Sequence, residues 1–182
     1  MKHFLQSLLQ LILSPRNGWE DIEKAAVPPG RLLGQGLFPL MALAAVSVYA
    51  QAAWHHHVLY MKLFMEMIVT FVVYFISYFF STFVLSLTSV VADNPTPDED
   101  ERAQTFVIYT LGLLSLITII VNILPVSALV LFFLPLYVAL VQWKGCGYLA
   151  IPPERQGGFM IVAVCGVLVP PYIFYFVFSI IF

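Results

Sequence analysis

Long apolar stretches alternate along this chain with short polar segments. Four stretches contain no Asp, Glu, Lys or Arg, and they cover residues 32–61, 67–92, 103–143 and 156–182. A helix needs about 20 predominantly apolar residues to cross a hydrocarbon core that is about 30 Å thick. Three of the four stretches therefore suit one membrane-spanning helix each.

The stretch 103–143 is long enough for two crossings. As one helix it would be about twice as long as the hydrocarbon core is thick. Asn122, Pro125 and Ser127 lie near its middle, and a proline removes a helical donor and disfavours helix in the residue before it. We therefore predict a turn there, which divides the stretch into two spans. The five predicted spans are approximately 34–54, 64–90, 105–124, 127–143 and 159–181.

The basic residues predict how these spans are oriented, because Lys and Arg concentrate in cytoplasmic loops. Five spans with a cytoplasmic N-terminus leave only Lys62 outside. The cytoplasmic side then holds Lys2, Arg16, Lys24, Arg31, Arg102, Lys144 and Arg155. A four-span chain would instead move Lys144 and Arg155 outside. The pattern predicts an all-α membrane protein of five transmembrane helices, with its N-terminus in the cytoplasm and its C-terminus outside.

An amphipathic segment precedes the first span. Over residues 2–14, apolar side chains fall on one helical face and polar side chains on the other. This pattern is typical of a helix that lies in the membrane interface. The chain thus divides into a cytoplasmic or interfacial segment, 1–31, and a five-span membrane domain, 32–182.

A second short helix is predicted within that segment. Asn17 and Glu20 have the spacing of a capping box, which indicates that the helix begins there. Trp19 is expected at the level of the lipid headgroups, close to Arg16. Both residues are candidate interfacial contacts.

Composition narrows the possible functions. Of the 182 residues, 61% are apolar and 10% are charged, whereas soluble domains have about 45–50% and about 25%. The net charge is −2, and no basic patch is present that would bind nucleic acid through its phosphates. The sequence contains no G-x-S-x-G, H-E-x-x-H, P-loop or G-x-G-x-x-G motif. We expect no enzymatic activity, no catalytic residues and no cofactor; the expected partners are the lipid bilayer, other membrane proteins and second copies of the chain.

Polar residues form a stripe along the second predicted span. They fall within an arc of about 80° at 100° per residue, and they are Glu66, Thr70, Tyr74, Ser77, Ser81 and Thr88. Such a stripe either packs against other helices or lines a wet cavity. In the second case it forms a polar path with Glu66 at its outer mouth. Both interpretations remain open at this point.

Three consecutive histidines, 55–57, lie between the first two spans. Neighbouring helical residues point about 100° apart, so a regular helix cannot direct all three at one metal ion. In an extended loop, His55 and His57 could share an ion with Glu66 as a third ligand. The alternative is a polar cluster at the outer interface that binds no metal.

The order of these features resembles the Yip-domain family of multi-pass membrane proteins, which is named for members that interact with Rab-type GTPases, and in particular its bacterial branch. The matching segments are 13–22 (LSPRNGWEDI), 103–110 (AQTFVIYT), 122–125 (NILP), 135–137 (PLY) and 145–148 (GCGY). The resemblance implies five spans, a cytoplasmic N-terminus and a non-enzymatic role in membrane organisation or trafficking, here in a bacterial inner membrane. Eukaryotic members carry an acidic segment where this chain has 14–18 (SPRNG), so Rab binding is not implied.

Three hypotheses about function follow. The first is a membrane scaffold or adaptor that acts through lateral helix contacts and its cytoplasmic face. The second is a small transporter or channel, with a cation as one candidate substrate, that uses the polar face of the second span. A lipid-acting enzyme is the least supported, because the sequence does not bring two ionisable groups together.

Overall fold

The computed structural model describes residues 2–54, 59–87, 97–124 and 128–181, and every regular element within them is helical. Two short helices, α1 (Lys2–Leu13) and α2 (Pro15–Ala25), come first. The remaining α-helices are α3 (Pro29–Leu32), α4 (Phe38–Ser47), α5 (Tyr60–Leu87), α6 (Pro97–Ile123), α7 (Ala128–Gly145), α8 (Gln156–Ala163) and α9 (Pro170–Ile181). A π-helical turn, Leu33–Leu37, joins α3 to α4, which continues as a 3₁₀ turn, Val48–Ala53.

Four helical runs in the described residues are long and apolar enough to cross a membrane. They are Pro29–Ala53, Tyr60–Leu87, Asp98–Ile123 and Gln156–Ile180. The chain therefore has the helices of a multi-pass membrane protein. The first run begins at Pro29, three residues before the predicted boundary of the membrane domain, because Pro28 and Pro29 form the N-cap and the first turn of α3.

The stretch 103–143 contains two separate helices, and the first of them lies in the membrane-length run Asp98–Ile123. Helix α6 ends at Ile123 and α7 begins at Ala128. At the other end of this pair, a Cβ atom on Gly145 would lie only 2.7 Å from the Phe106 ring. Helix α7 therefore returns antiparallel to α6, to the end of the bundle where α6 begins. We call that end the cap end and the opposite end, which holds Ile123, the far end.

Helices α1 and α2 form a tight hairpin at the cap end. Helix α2 begins at Pro15 with Ser14 as its N-cap, so the predicted capping position at Asn17 is wrong by three residues, just under one helical turn. Proline at the first helical position has a suitable φ angle and loses no hydrogen bond there. The two helices touch at Gly18, where an added Cβ would lie 2.9 Å from the Leu11 Cα.

The hairpin packs against the bundle. Phe4 and Leu8 are buried against Gly112 of α6, and Phe4 also fills the space beside Gly36. Gly112 lies ten residues along α6 from Arg102, which corresponds to about 15 Å. Phe4, Leu8 and Leu11 of α1 therefore pack on protein, whereas Leu9 and Ile12 stay exposed. Helices α1 and α2 share one hydrophobic core with the longer helices.

The last helical run is interrupted just before Pro170 and Pro171. Helix α8 passes into a π-helical turn, Val164–Leu168, and α9 begins at Pro170. The Val169 amide donates to the Val164 carbonyl at 2.9 Å, which is the five-residue spacing of a π-helical turn. The change in helix geometry therefore falls where two prolines cannot donate to the preceding turn.

Candidate functional site

Trp19 occupies the centre of the cap end. Its indole is 2% exposed and lies between two aromatic rings, with centroid distances of 5.4 Å to Phe106 and 5.2 Å to Tyr148. The indole N–H donates to the Val141 carbonyl of α7 at 3.0 Å. The sequence predicts Trp19 among lipid headgroups; in the structure its side chain contacts protein and joins α2 to α6, α7 and the segment after α7.

Arg102 provides a second connection between helices at the cap end, beside Trp19. Its guanidinium donates to Glu23 of α2 and to the Tyr148 carbonyl, both at 3.1 Å, and to Asp98 one turn earlier in α6, also at 3.1 Å. Arg102 therefore bonds to the hairpin, to the start of α6 and to the segment that follows α7. Sequence patterning identifies Arg102 only as one of the cytoplasmic basic residues, because its partners are distant in sequence.

Tyr148 completes the aromatic stack as a neutral side chain. Burial raises the pKa of Tyr148, while its hydrogen bond with Thr105 and the nearby Arg102 charge act in the opposite direction with smaller effect. Its phenol therefore stays protonated at neutral pH and can pack on Trp19 without placing a negative charge beside it.

Arg16, the other predicted interfacial residue, is exposed. Its side chain is 83% exposed and pairs with Glu20 of the next turn at 3.3 Å. An exposed pair of this kind contributes little to stability. Arg16 is thus available to the surroundings of the cap end, whereas Trp19 is not.

A second polar cluster joins four helical runs at the far end. The Gln51 amide donates to Asn122 Oδ1 at 2.9 Å and to Glu66 at 3.4 Å, and Asn122 donates to Ser47 Oγ at 2.9 Å. The Tyr175 hydroxyl donates to the same Glu66 oxygen at 2.9 Å. We call Ser47, Gln51, Glu66, Asn122 and Tyr175 the far-end network.

Charge is unevenly distributed in the far-end network. Its only ionisable carboxylate is Glu66, and the hydrogen bonds that the structure gives this side chain come from neutral groups. Carboxylates within membrane helices are costly and commonly mark functional positions. The sequence points to Glu66 through its place on the polar stripe, whereas Gln51, Asn122 and Tyr175 were not predicted to meet it.

The predicted stripe on α5 faces the interior of the bundle. Thr70, Tyr74, Ser77 and Ser81 are all buried, and Glu66 at the end of the stripe is partly buried. The Tyr74 hydroxyl lies 2.7 Å from Thr118 Oγ1 of α6, in hydrogen-bonding contact. Thr88 lies outside the described residues. The described part of the stripe is therefore covered by neighbouring helices.

The proposed metal ligands cannot be assembled from this structure. His55 and His57 lie outside the described residues, and Glu66 is hydrogen-bonded to Gln51 and Tyr175. Within the ranges that the structure describes, no group of three or more His, Cys, Asp and Glu side chains has the arrangement of a metal site. The metal site stays a prediction.

Comparisons with known proteins add no relative: no family model, no curated protein and no solved structure matches this chain. Function is therefore argued from the cap end and the far-end network themselves.

Proposed function

We propose that this chain is a non-enzymatic scaffold or adaptor of a bacterial inner membrane, of the Yip-domain type. In this proposal it crosses the membrane five times, with the cap end in the cytoplasm and the C-terminus outside. Its partners are other membrane proteins or further copies of itself. It acts by presenting a rigid cytoplasmic surface and a lateral surface of membrane helices.

The observation that carries this proposal is the attachment of the α1–α2 hairpin to the bundle. Trp19 and Arg102 together bond the hairpin to α6, α7 and the segment after α7. A surface that is held by buried contacts is pre-organised, and partner binding then costs less conformational entropy. An amphipathic helix that served only to anchor the chain to lipid would not require such contacts with protein.

The arrangement of helices supports a fifth crossing. Helix α7 has 18 residues, or about 27 Å at 1.5 Å per residue, which approaches the thickness of a hydrocarbon core. It connects the far end near Ile123 with the cap end at Gly145. Counting α7 as a span leaves the seven basic residues named above on the cap side, as the positive-inside rule requires.

Site-specific photo-crosslinking in native membranes tests the adaptor role. A photoreactive residue at exposed Lys24 of α2 is expected to trap a partner protein or a second copy. The same photoreactive residue at exposed Phe83 of α5 tests for partners that bind the lateral surface. Placed at buried Leu8, it is the control, because a buried group cannot reach a partner. Recovery of neither partners nor homo-oligomers from Lys24 and Phe83 would sink the proposal.

A small transporter or channel is the alternative, and the far-end network favours it. Glu66 there is a partly buried carboxylate that receives hydrogen bonds from Gln51 and Tyr175, and ionisable groups within membrane helices commonly mark ion pathways. The buried packing of Thr70, Tyr74, Ser77 and Ser81 fits helix contacts better than an open path.

Proteoliposome flux separates the two functions. Transport of a monovalent cation that disappears in Glu66→Gln and in Ser77→Ala/Ser81→Ala would favour the alternative. Flux at the level of empty liposomes, or flux that these variants leave unchanged, would rule out the proposed path.

A further inference from the structure

A groove of about 430 Å³ opens at the cap end between α2 and the end of α7. Its charged side chains are Arg16, Glu20, Glu23 and Lys144, with exposed Trp143 beside them. Glu23 is bonded to Arg102 at 3.1 Å. The groups that remain for a ligand are two cations, Arg16 and Lys144, and one carboxylate, Glu20.

Arg16 and Glu20 are paired with each other only weakly. Their N–O distance is 3.3 Å, and the two side chains are 83% and 51% exposed. Exposed pairs within one helix contribute little to stability. A ligand that carries both a negative and a positive group could therefore replace this pair with two stronger contacts.

An apolar surface begins directly beside the groove. On α7, Leu140 and Leu136 lie about one and two turns from Lys144, and they are 49% and 61% exposed. From the α1 side, Leu13 is 84% exposed. The two helices are connected here, because the Tyr137 hydroxyl donates to the Ile12 carbonyl. The apolar surface thus continues from the groove along α7, in the direction of the membrane interior.

The order of these side chains matches the order of groups in a phospholipid. Tryptophan and basic residues commonly lie at the level of the headgroups, and apolar residues lie below them. We propose that the groove binds an aminophospholipid, with its phosphate at Arg16 and Lys144, its primary ammonium at Glu20 and an acyl chain along Leu140 and Leu136. Because the carboxylate of Glu20 lies in the groove together with the two cations, a headgroup that also carries an ammonium is favoured over one that is only anionic.

The proposal concerns lipid binding and needs only the membrane placement of the cap end. Photo-crosslinking can fail to trap a partner while the groove retains its lipid, and a partner can be trapped while no lipid is retained. The two experiments therefore test the adaptor role and the lipid site separately.

Lipid retention by the full-length protein tests the site. The protein is reconstituted in nanodiscs of equal parts phosphatidylethanolamine, phosphatidylcholine and phosphatidylglycerol, then released, and its retained lipids are counted by native mass spectrometry. We expect phosphatidylethanolamine to be retained about tenfold over phosphatidylcholine, since a charge-assisted hydrogen bond is lost when the ammonium is methylated. Equal retention of all three lipids, or preference for phosphatidylglycerol, would overturn the assignment.

Matched variants locate the site. Lys144→Gln and Glu20→Gln are expected to abolish the preference for phosphatidylethanolamine, and Lys144→Arg to restore it. Lys24→Gln is the control, because Lys24 is an exposed cap cation outside the groove. A preference that survives both Lys144→Gln and Glu20→Gln would overturn the placement in this groove, and the wild-type measurement stands even if a variant does not fold.

Discussion

At the scale of single residues, Trp19 joins more of the cap end than any pattern in the sequence indicates. Its indole stacks between Phe106 and Tyr148 and donates to the Val141 carbonyl. The sequence predicts that a tryptophan beside Arg16 lies at the membrane interface, since that is where such residues concentrate. It does not predict a protein partner, because Phe106, Val141 and Tyr148 are separated from Trp19 by at least 87 residues.

Trp19→Ala is expected to destabilise the fold by about 3–5 kcal/mol, because it removes a fully buried aromatic side chain and leaves a cavity. The measurement is the free energy of unfolding in mild detergent. Trp19→Phe keeps the stack and loses the hydrogen bond to Val141, so about 1 kcal/mol is expected. A loss below about 1 kcal/mol for Trp19→Ala would show that the hairpin is not held by this side chain.

Asn122 joins helices at the far end of the bundle, as Trp19 does at the cap end. Asn122→Ala removes the acceptor of the Gln51 amide and the donor to Ser47, and we expect a loss of about 1–3 kcal/mol because partly buried polar groups lose their partners. Thr82→Ala is the control, since among the described residues the Thr82 hydroxyl bonds only to carbonyls of its own helix, those of Tyr78 and Phe79. Equal effects of the two substitutions on the thermal unfolding midpoint would contradict the network.

The polar stripe on α5 shows what the spacing of polar residues in the sequence can predict about single side chains. The spacing of Thr70, Tyr74, Ser77 and Ser81 predicts that they share one face, and all four are buried. Periodicity says which residues share a face and leaves open what covers it. The contact of Tyr74 with Thr118 depends on the register between α5 and α6, which no local signal encodes.

At the scale of elements, proline is an uneven signal. Helix α9 begins at Pro170, because proline cannot donate to the preceding turn and suits the start of a helix, whereas Pro135 lies inside α7 and does not end it. The start of α2 was mispredicted because the capping-box spacing at Asn17 competed with the Ser14–Pro15 pair, and proline at the first helical position prevailed. The amphipathic pattern of α1 predicts an apolar partner without saying whether that partner is lipid or protein.

The closeness of α1 and α2 depends on Gly18. Gly18→Ala is expected to separate the two helices and cost about 1–3 kcal/mol, since the new Cβ would lie 2.9 Å from the Leu11 backbone. Gly30→Ala is the control, because nothing lies within 4 Å of a Cβ there and alanine favours helix. Faster proteolysis of the hairpin in Gly18→Ala alone is the expected result; identical digestion of both variants would contradict the close packing.

At the scale of the whole molecule, the proposed function depends on how many times the chain crosses the membrane. Hydropathy accounts for four of the crossings, Pro29–Ala53, Tyr60–Leu87, Asp98–Ile123 and Gln156–Ile180. The fifth rests on α7, whose antiparallel return beside α6 brings Gly145 to Phe106. The orientation stays a prediction from the basic residues, which concentrate in cytoplasmic loops irrespective of how the helices pack.

The location of the two termini tests this central claim most directly. Epitope tags at either terminus are exposed to protease in intact spheroplasts and, separately, after lysis. Five crossings with the cap end inside predict that the C-terminal tag is removed from intact spheroplasts, while the N-terminal tag is cleaved only after lysis. Both tags on the same side of the membrane would mean an even number of crossings and would contradict the account.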